Sequence, residues 1–440
     1  MTSKLLGRGF LSLITTQFFG AANDNILKGV LIYMVIDGAW GGQLGSGGQG
    51  IVSVCFTVPF IILSGYAGQF ADRNSKRYVS VMVKVLEIPI ALLALVGFAL
   101  GNLWITLLAL IALTCQSAFF GPAKYGMIPE LLPSGDLSRA NGIINMMTNL
   151  AVLAGTLAAG MIADAYSPLP DAESVTGDGM LWLPGAVMLV VAVAGLVAVM
   201  FLPLLPAGNR TLKYDRNPFA TYVSVIREMF GTPIMMVMFA WGYFYFLAGL
   251  ALLILPEYTV VLQSWNVSRA EVSVLLGVLG VAVGVGSGLC GLISGHAIHP
   301  RLILIGAAGL TLFFLLLGLT PPWLPDLGPM WRVLASPVSA LVFGAGVSAG
   351  FYIVPLQALL QRLSPDGERG RFLGTANGIS FSFLTLASLL YWIIRPAFGV
   401  DTGQQHPEKI FIISSLLMIL GSAFFIWRLR RRGFSFARLD

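Results

Sequence analysis

Five charged residues stand inside runs that are otherwise almost wholly apolar. Asp24 and Lys28 are four residues apart, Lys84 and Glu87 are three apart, and Lys124 sits in the run FFGPAKYG. On a helix those separations put each pair on one face, one turn apart and within ion-pairing distance. Asn25 flanks Asp24, so residues 23–25 form one unusually polar turn, and Asn141, Asn145 and Asn149 recur at four-residue steps as a polar stripe. Ammonium groups can hold a phosphate, and Asp24 or Glu87 can hold an amine or a coupling cation. The same spacings also suit internal ion pairs and interhelical hydrogen bonds, and for Lys84–Glu87 and the asparagines both readings stand.

Other chemistries find little support. Cys55, Cys115 and Cys290 fall in apolar runs with no paired spacing, and they read as small buried hydrophobes. His296, His299 and His406 fall in predicted loops. No group of His, Cys or carboxylate residues has metal or nucleophile spacing, so the expectation is no metal, no cofactor and no enzyme.

The elements that must carry the five charges are membrane spans. Of 440 residues, 57% are hydrophobic and 10% are charged, where a soluble domain carries about 25% charge. The apolar segments are continuous, not the alternation of a membrane barrel, so they are helices. At about 20 residues per span, twelve are expected, near residues 10–36, 48–71, 78–100, 103–127, 140–163, 181–203, 232–255, 270–294, 301–319, 335–361, 371–395 and 408–428. The first reads as a retained helix and not a signal peptide, because it carries Asn23, Asp24, Asn25 and Lys28. A charge at mid-membrane costs about 2.5–3.5 kcal/mol on insertion scales, so these residues must face a cavity or each other.

The chain also repeats a phrase. Residues 119–142 read FFGPAKYGMIPELLPSGDLSRANG and residues 351–378 read FYIVPLQALLQRLSPDGERGRFLGTANG. Pro122 matches Pro355 as a helix bend and Asn141 matches Asn377 as a helix start, more than half the chain apart. This marks a duplicated, pseudo-symmetric pair of six-helix halves. The halves are residues 1–203 and 232–440, joined by a cytoplasmic linker over 204–231. Phe219, Tyr222, Val223, Ile226 and Phe230 give that linker an amphipathic segment. Lys124 has no charged counterpart in the second copy, and the second half shows Gln357, Gln361 and Asn377 but almost no buried charge besides Glu257. A cavity between such halves is charged on one wall and greasy on the other. Gly284, Gly286 and Gly288 read as close-packing sites.

Basic residues set the orientation. Nineteen of the twenty-six fall on one side of a twelve-span chain, whereas Arg269, Arg332, Arg395 and Lys409 fall on the other and Lys28, Lys84 and Lys124 lie within spans. Both termini are therefore expected in the cytoplasm, with the acidic loop Asp164–Asp178 outside. The net charge of +6 then reflects topology, with anionic membrane lipid as its counterpart and no nucleic acid.

The loop after the second span, GQFADRNSKR over residues 68–77, resembles the signature between helices two and three of the major facilitator superfamily, with Ser75 where the pattern prefers glycine. The resemblance implies that fold, an all-α membrane protein of twelve helices. It also implies a gate: Gly68 for close helix approach, Asp72 meeting the start of span eleven near Arg371–Gly374, and Arg73 and Arg77 pairing with acids or lipid phosphate. The second-half loop, Gly291 to His296, keeps its glycines and lacks the aspartate. Asn23-Asp24-Asn25, the segment Gly121–Gly126 with Lys124, Arg139–Gly142 and Val354–Gln361 are similar to the bacterial lysophospholipid transporter branch. That implies flipping of lysophospholipid across the inner membrane for reacylation inside. Members of that branch can carry a basic residue in helix seven, and Trp241–Pro256 has none. No His-x-x-x-x-Asp occurs, so an acyltransferase acting on the product would be a separate partner. The alternative is a cation-coupled facilitator for a small polar solute or an expelled drug.

Overall fold

The structure, a computed structural model, describes residues 7–133, 137–166, 179–206, 217, 219–294, 299, 301–364, 369–398 and 405–431. His296, most of the acidic loop, linker residues 207–216 and the side chains of Arg139, Asn141, Gln361 and Arg371 lie outside the described set.

The helices are α1 (Arg8–Ile36), α2 (Gln49–Arg73), α3 (Lys76–Ala99), α4 (Leu103–Leu131), α5 (Leu137–Tyr166), α6 (Leu183–Met200), α7 (Ala220–Met229), α8 (Pro233–Ile254), α9 (Tyr258–Val261), α10 (Arg269–Ser294), α11 (Arg301–Leu319), α12 (Pro329–Leu334), α13 (Pro337–Leu363), α14 (Arg369–Ile394) and α15 (Ile410–Arg431). The long ones fall on the expected spans to within a few residues. Among the described residues, eleven are long and apolar enough to cross a membrane, against twelve expected. The missing one is α1, whose Gln17, Asn23, Asp24, Asn25 and Lys28 dilute its apolar character.

Local chemistry sets the boundaries. After α1 the chain turns through Gly38, Gly41, Gly42, Gly45 and Gly47, all at positive φ, a conformation open to glycine and costly for most other residues. Asn102 caps α4 by accepting from the Ile105 amide, and Ser336 caps α13 at Ser339 with Pro337 beside it. Pro122 and Pro355 both lie inside helices, α4 and α13, where each removes one backbone donor.

The chain forms two compact units. One comprises Met1–Gly45 with Val52–Ala220, the other Ser46–Ile51 with Thr221–Asp440. In the first, α1 packs on α4, α5 and α6, and α3 packs on α4 and α6; in the second, α8 packs on α13, α14 and α15, and α11 packs on α13 and α15. For these helices, corresponding positions in the two units meet corresponding partners.

Their interiors differ. The second unit has one continuous apolar core running from Val225 and Met229 to Met418. The first has two, one around Leu27, Leu31, Phe98 and Leu110 and one around Phe10, Leu13, Val83 and Met127. Between them on α1, α3, α4 and α6 lie Gln17, Asn23, Lys84, Glu87, Gln116 and Gly195.

Of the expected amphipathic stripe, Tyr222 lies against Gly378, while Phe219, Val223, Ile226 and Phe230 face outward. Val225 and Met229 are the residues α7 buries.

The glycines of α10 divide. A Cβ on Gly286 would stand 2.2 Å from the Val347 carbonyl oxygen, and one on Gly350 would stand 2.4 Å from the Ser287 nitrogen, so α10 and α13 cross backbone to backbone. Gly284 and Gly288 have open space where a Cβ would lie, so they are not the close-packing sites expected. Gly286→Val should cost about 1–3 kcal/mol or more through overpacking, read as a lowered thermal midpoint in detergent, while Gly288→Val should leave the midpoint unchanged.

Candidate functional site

The polar layer of the first unit is built from helices that each give up one apolar turn. Lys84 is 1% exposed and Glu87 is fully buried. The Lys84 ammonium donates to Glu87 Oε2 at 2.5 Å, the pairing that three-residue spacing permits, and Asn23 Nδ2 donates to Glu87 Oε1 at 2.6 Å. Both carboxylate oxygens are thus satisfied, which a charge this deep requires. Gly20 and Gly195 make the room: a Cβ at either would lie 2.7 or 3.3 Å from Lys84 Nζ. The arrangement joins α1 to α3 and is closed to solvent. Lys84 and Glu87, both candidates for contact with a substrate, are therefore an internal pair in this structure.

Asp24 and Lys28 do not form the pair that their four-residue spacing allows. Asp24 accepts from Ser117 Oγ at 3.0 Å, and Ser117 accepts from Gln116 Nε2 at 3.2 Å. The Lys28 ammonium lies over the Phe56 ring, 4.7 Å from its centre, and that of Lys124 lies over Tyr125 at 4.6 Å, contacts that favour a cation without neutralising it. Neither lysine has a carboxylate within 4 Å among the described residues. Asp24 exerts a Coulombic attraction on both, so the three form one electrostatic group. With Lys84 and Glu87 the layer holds three ammonium groups against two carboxylates, an excess suited to an anion.

Asn25 returns its amide to the Ala21 carbonyl at 2.8 Å, and its Cβ lies beside Gly155 of α5. Asn145 accepts from the Tyr125 hydroxyl at 3.3 Å, which connects the ring beneath Lys124 to the asparagine stripe. Asn145 and Asn149 are exposed. Asn23, Gly20, Gln116, Ser117 and Gly195 are missing from a sequence-derived site, yet Gln17, Gly20, Asn23 and Asp24 share one helical face. The oxygens Asn23 Oδ1 and Gln116 Oε1 are buried without a partner among the described residues.

Residues 68–77, expected as a loop, are mostly helical: 68–73 are the last turns of α2, 76–77 start α3, and only Asn74 and Ser75 connect them. Arg77 Nε donates to the Leu202 carbonyl at 2.9 Å, Ser75 Oγ donates to that of Leu205 at 2.8 Å, and Lys76 pairs with Glu130. These bonds clamp the start of α3 to the ends of α4 and α6. Asp72 is exposed and Arg73 half-buried. A Cβ on Gly68 would meet nothing within 4 Å, so the close helix approach expected there is absent from this structure.

The second unit is richer in buried charge than its sequence suggested. Glu257 accepts from Gln49, from the Tyr391 hydroxyl at 2.5 Å and from Arg395 Nε at 2.6 Å. Arg395 also donates to Gln405 at 2.6 Å. Glu271 takes a two-point bond from Arg332, at 2.7 and 2.9 Å. It also exchanges bonds with Ser268 in a capping box at the start of α10. Arg332 and Arg395, counted from sequence only as basic residues of one membrane side, are thus held by acids. Spacing in sequence offers no signal for partners 61 and 138 residues away.

Long apolar helices in two similarly packed units, one with a charged layer through its core, define a polytopic helical membrane protein. The chain belongs to the Major Facilitator Superfamily, whose sequence model matches residues 13–390. It is 27% identical over 394 residues to the lysophospholipid transporter LplT of Serratia proteamaculans (strain 568), covering 86% of this chain and 85% of that one. It is 26% identical over 392 residues to the LplT of Yersinia enterocolitica serotype O:8, covering 86% and 83%. Among solved structures it resembles a bacterial homologue of the human lysosomal transporter Spinster, with TM-score 0.70, 12% identity and 98% of both chains covered. It also resembles the nucleoside transporter NupG, with TM-score 0.69, 11% identity and 95% and 98% covered. These neighbours share the fold; substrate is a property of the site.

Breaking the internal pair tests its structural role. Lys84→Met leaves a buried carboxylate without its counter-ion and should cost about 3–5 kcal/mol, whereas Lys84→Met with Glu87→Gln, which keeps an acceptor for Asn23, should recover most of that loss. Thermal unfolding of the purified variants in detergent reads both.

Proposed function

We propose that this chain moves lysophospholipids across the cell inner membrane by alternating access, for reacylation inside. The observation that carries the reading is the pair Lys28 and Lys124: two ammonium groups in apolar spans, each resting on an aromatic ring and neither ion-paired among the described residues. A charge left uncompensated at this depth is costly, and a substrate phosphate is the partner that would satisfy it. Asp24, held among the described residues by the Ser117 hydroxyl alone, would take a headgroup amine or a coupling cation, with Asn25, Asn141 and Asn145 as neutral contacts. Lys84 and Glu87 act from behind, as the rigid polar wall on which α1 is set. The names of the relatives from Serratia and Yersinia support the substrate class.

In this reading residues 1–203 and 232–440 are the moving halves, 204–231 is the linker between them, and both termini are cytoplasmic. Gly68, Asp72, Arg73 and Arg77 gate the cytoplasmic side, Arg77 from its fixed place on the Leu202 carbonyl. The product passes to an acyltransferase that acts on it.

Uptake of labelled lysophosphatidylethanolamine into proteoliposomes is the direct test. Lys28→Ala and Lys124→Ala should each lower uptake about tenfold or more, the value of a hydrogen bond to a charged group, with the arginine replacements retaining more. No lipid movement by the parent protein, together with a proton gradient that drives a water-soluble solute, would establish a cation-coupled facilitator instead. Asp72→Ala, at an exposed position, should leave folding intact while slowing uptake and changing the accessibility of cysteines placed along α2. Unchanged values for both would remove the gate.

A further inference from the structure

One cavity in the second unit lies apart from every residue assigned above. It occupies about 500 Å³ between α8, α14 and α15, within the usual size of a small-molecule site. Its walls are Met235, Met236, Phe239 and Phe424, with Phe230 at its edge. Phe230, Phe239 and Phe424 are exposed. Methionines on such a wall let it adapt to an irregular flexible guest.

The polar groups near the walls are already satisfied. The Tyr243 hydroxyl donates to the Leu417 carbonyl, and Thr232 Oγ1 donates to the Met229 carbonyl at 2.7 Å. The exception is Arg428, which lines the cavity from the last turns of α15. Its guanidinium has no hydrogen bond or ion pair among the described residues. In sequence it is followed by Arg430, Arg431 and Arg432. An apolar cleft with an unpaired guanidinium at the basic end of a spanning helix is complementary to an acyl chain joined to an anionic head. Arginine suits that head because its planar donors match a phosphate, and a basic run at a helix end favours a net negative lipid over a zwitterionic one.

We infer that the cleft between α8, α14 and α15 binds an anionic phospholipid of the leaflet that meets the C-terminal end of α15, one acyl chain between Met236 and Phe424 and its phosphate on Arg428. The lipid bridges α8 to α15 and holds the two helices together. The inference stands independently of the transported substrate, because no residue of the charged layer takes part.

The test uses the full chain in nanodiscs and in detergent. Native mass spectrometry should show phosphatidylglycerol retained in preference to phosphatidylethanolamine, and added phosphatidylglycerol should raise the thermal midpoint. Arg428→Gln should weaken the preference about tenfold and abolish the thermal shift, while Arg428→Lys keeps part of both. Should Arg428→Gln fold poorly, a photoactivatable phosphatidylglycerol on the parent protein should label residues 230–239 and 421–428. Equal retention of the two lipids, a preference that survives Arg428→Gln in folded protein, labelling confined to other helices, or displacement of phosphatidylglycerol by stoichiometric lysophospholipid would each overturn the assignment.

Discussion

A lysine and a glutamate buried together among apolar helices persist only when every charge is answered. The Lys84–Glu87–Asn23 arrangement meets that condition, and the packing of the first unit follows from it. Two bonds converge on one carboxylate from two helices, so α1 cannot slide or rotate on α3 without exposing a bare charge. Gly20 and Gly195 are small because the lysine occupies the space their side chains would take. The apolar core divides into two because a charged layer cannot be shared with leucine and phenylalanine. Buried pairs of this kind add little net stability over well-packed apolar side chains, but they are expensive to break. They therefore specify a register, and in this unit the register places Asp24, Lys28 and Lys124 where they stand.

The second unit solves the same problem differently. Its apolar core is uninterrupted, and its buried charges collect away from the middle, at Glu257 with Arg395 and at Glu271 with Arg332. Each acid there accepts at least one further bond from a polar side chain or a backbone amide, so both carboxylates are satisfied, although Arg395 Nη1 finds no partner among the described residues. One unit thus holds three ammonium groups against two carboxylates in its polar layer, and the other pairs its buried acids with arginines. The difference between the copies, first visible as Lys124 against the uncharged VPLQALL, extends through the whole interior.

Much of the fold was legible because membrane burial writes itself into composition. A bilayer demands about 20 apolar residues per crossing whatever the tertiary contacts, so the helix boundaries could be read to within a few residues. The site was legible only where partners are close in sequence. Lys84 and Glu87 pair as their spacing allows. Asp24 and Lys28 have a similar spacing and do not pair, because Ser117 and Phe56 on other helices compete for them. Glycines misled for a related reason: Gly68 and Gly288 look like packing residues but face open space, whereas Gly20 and Gly195 are shaped by one lysine and carry no local mark.

The sequence by itself determined the class of protein and the extent of its long helices to within a few residues. These rest on hydropathy and self-similarity, which are properties of short segments. Only the tertiary structure decided which buried charges meet an opposite charge among the described residues and which rest on an aromatic ring. That choice depends on distances of a few ångströms between helices that sequence order keeps tens of residues apart. The same sort of contact turned Arg395 from a loop cation into half of a buried pair and set Lys28 and Lys124 on aromatic rings, with no carboxylate in reach among the described residues.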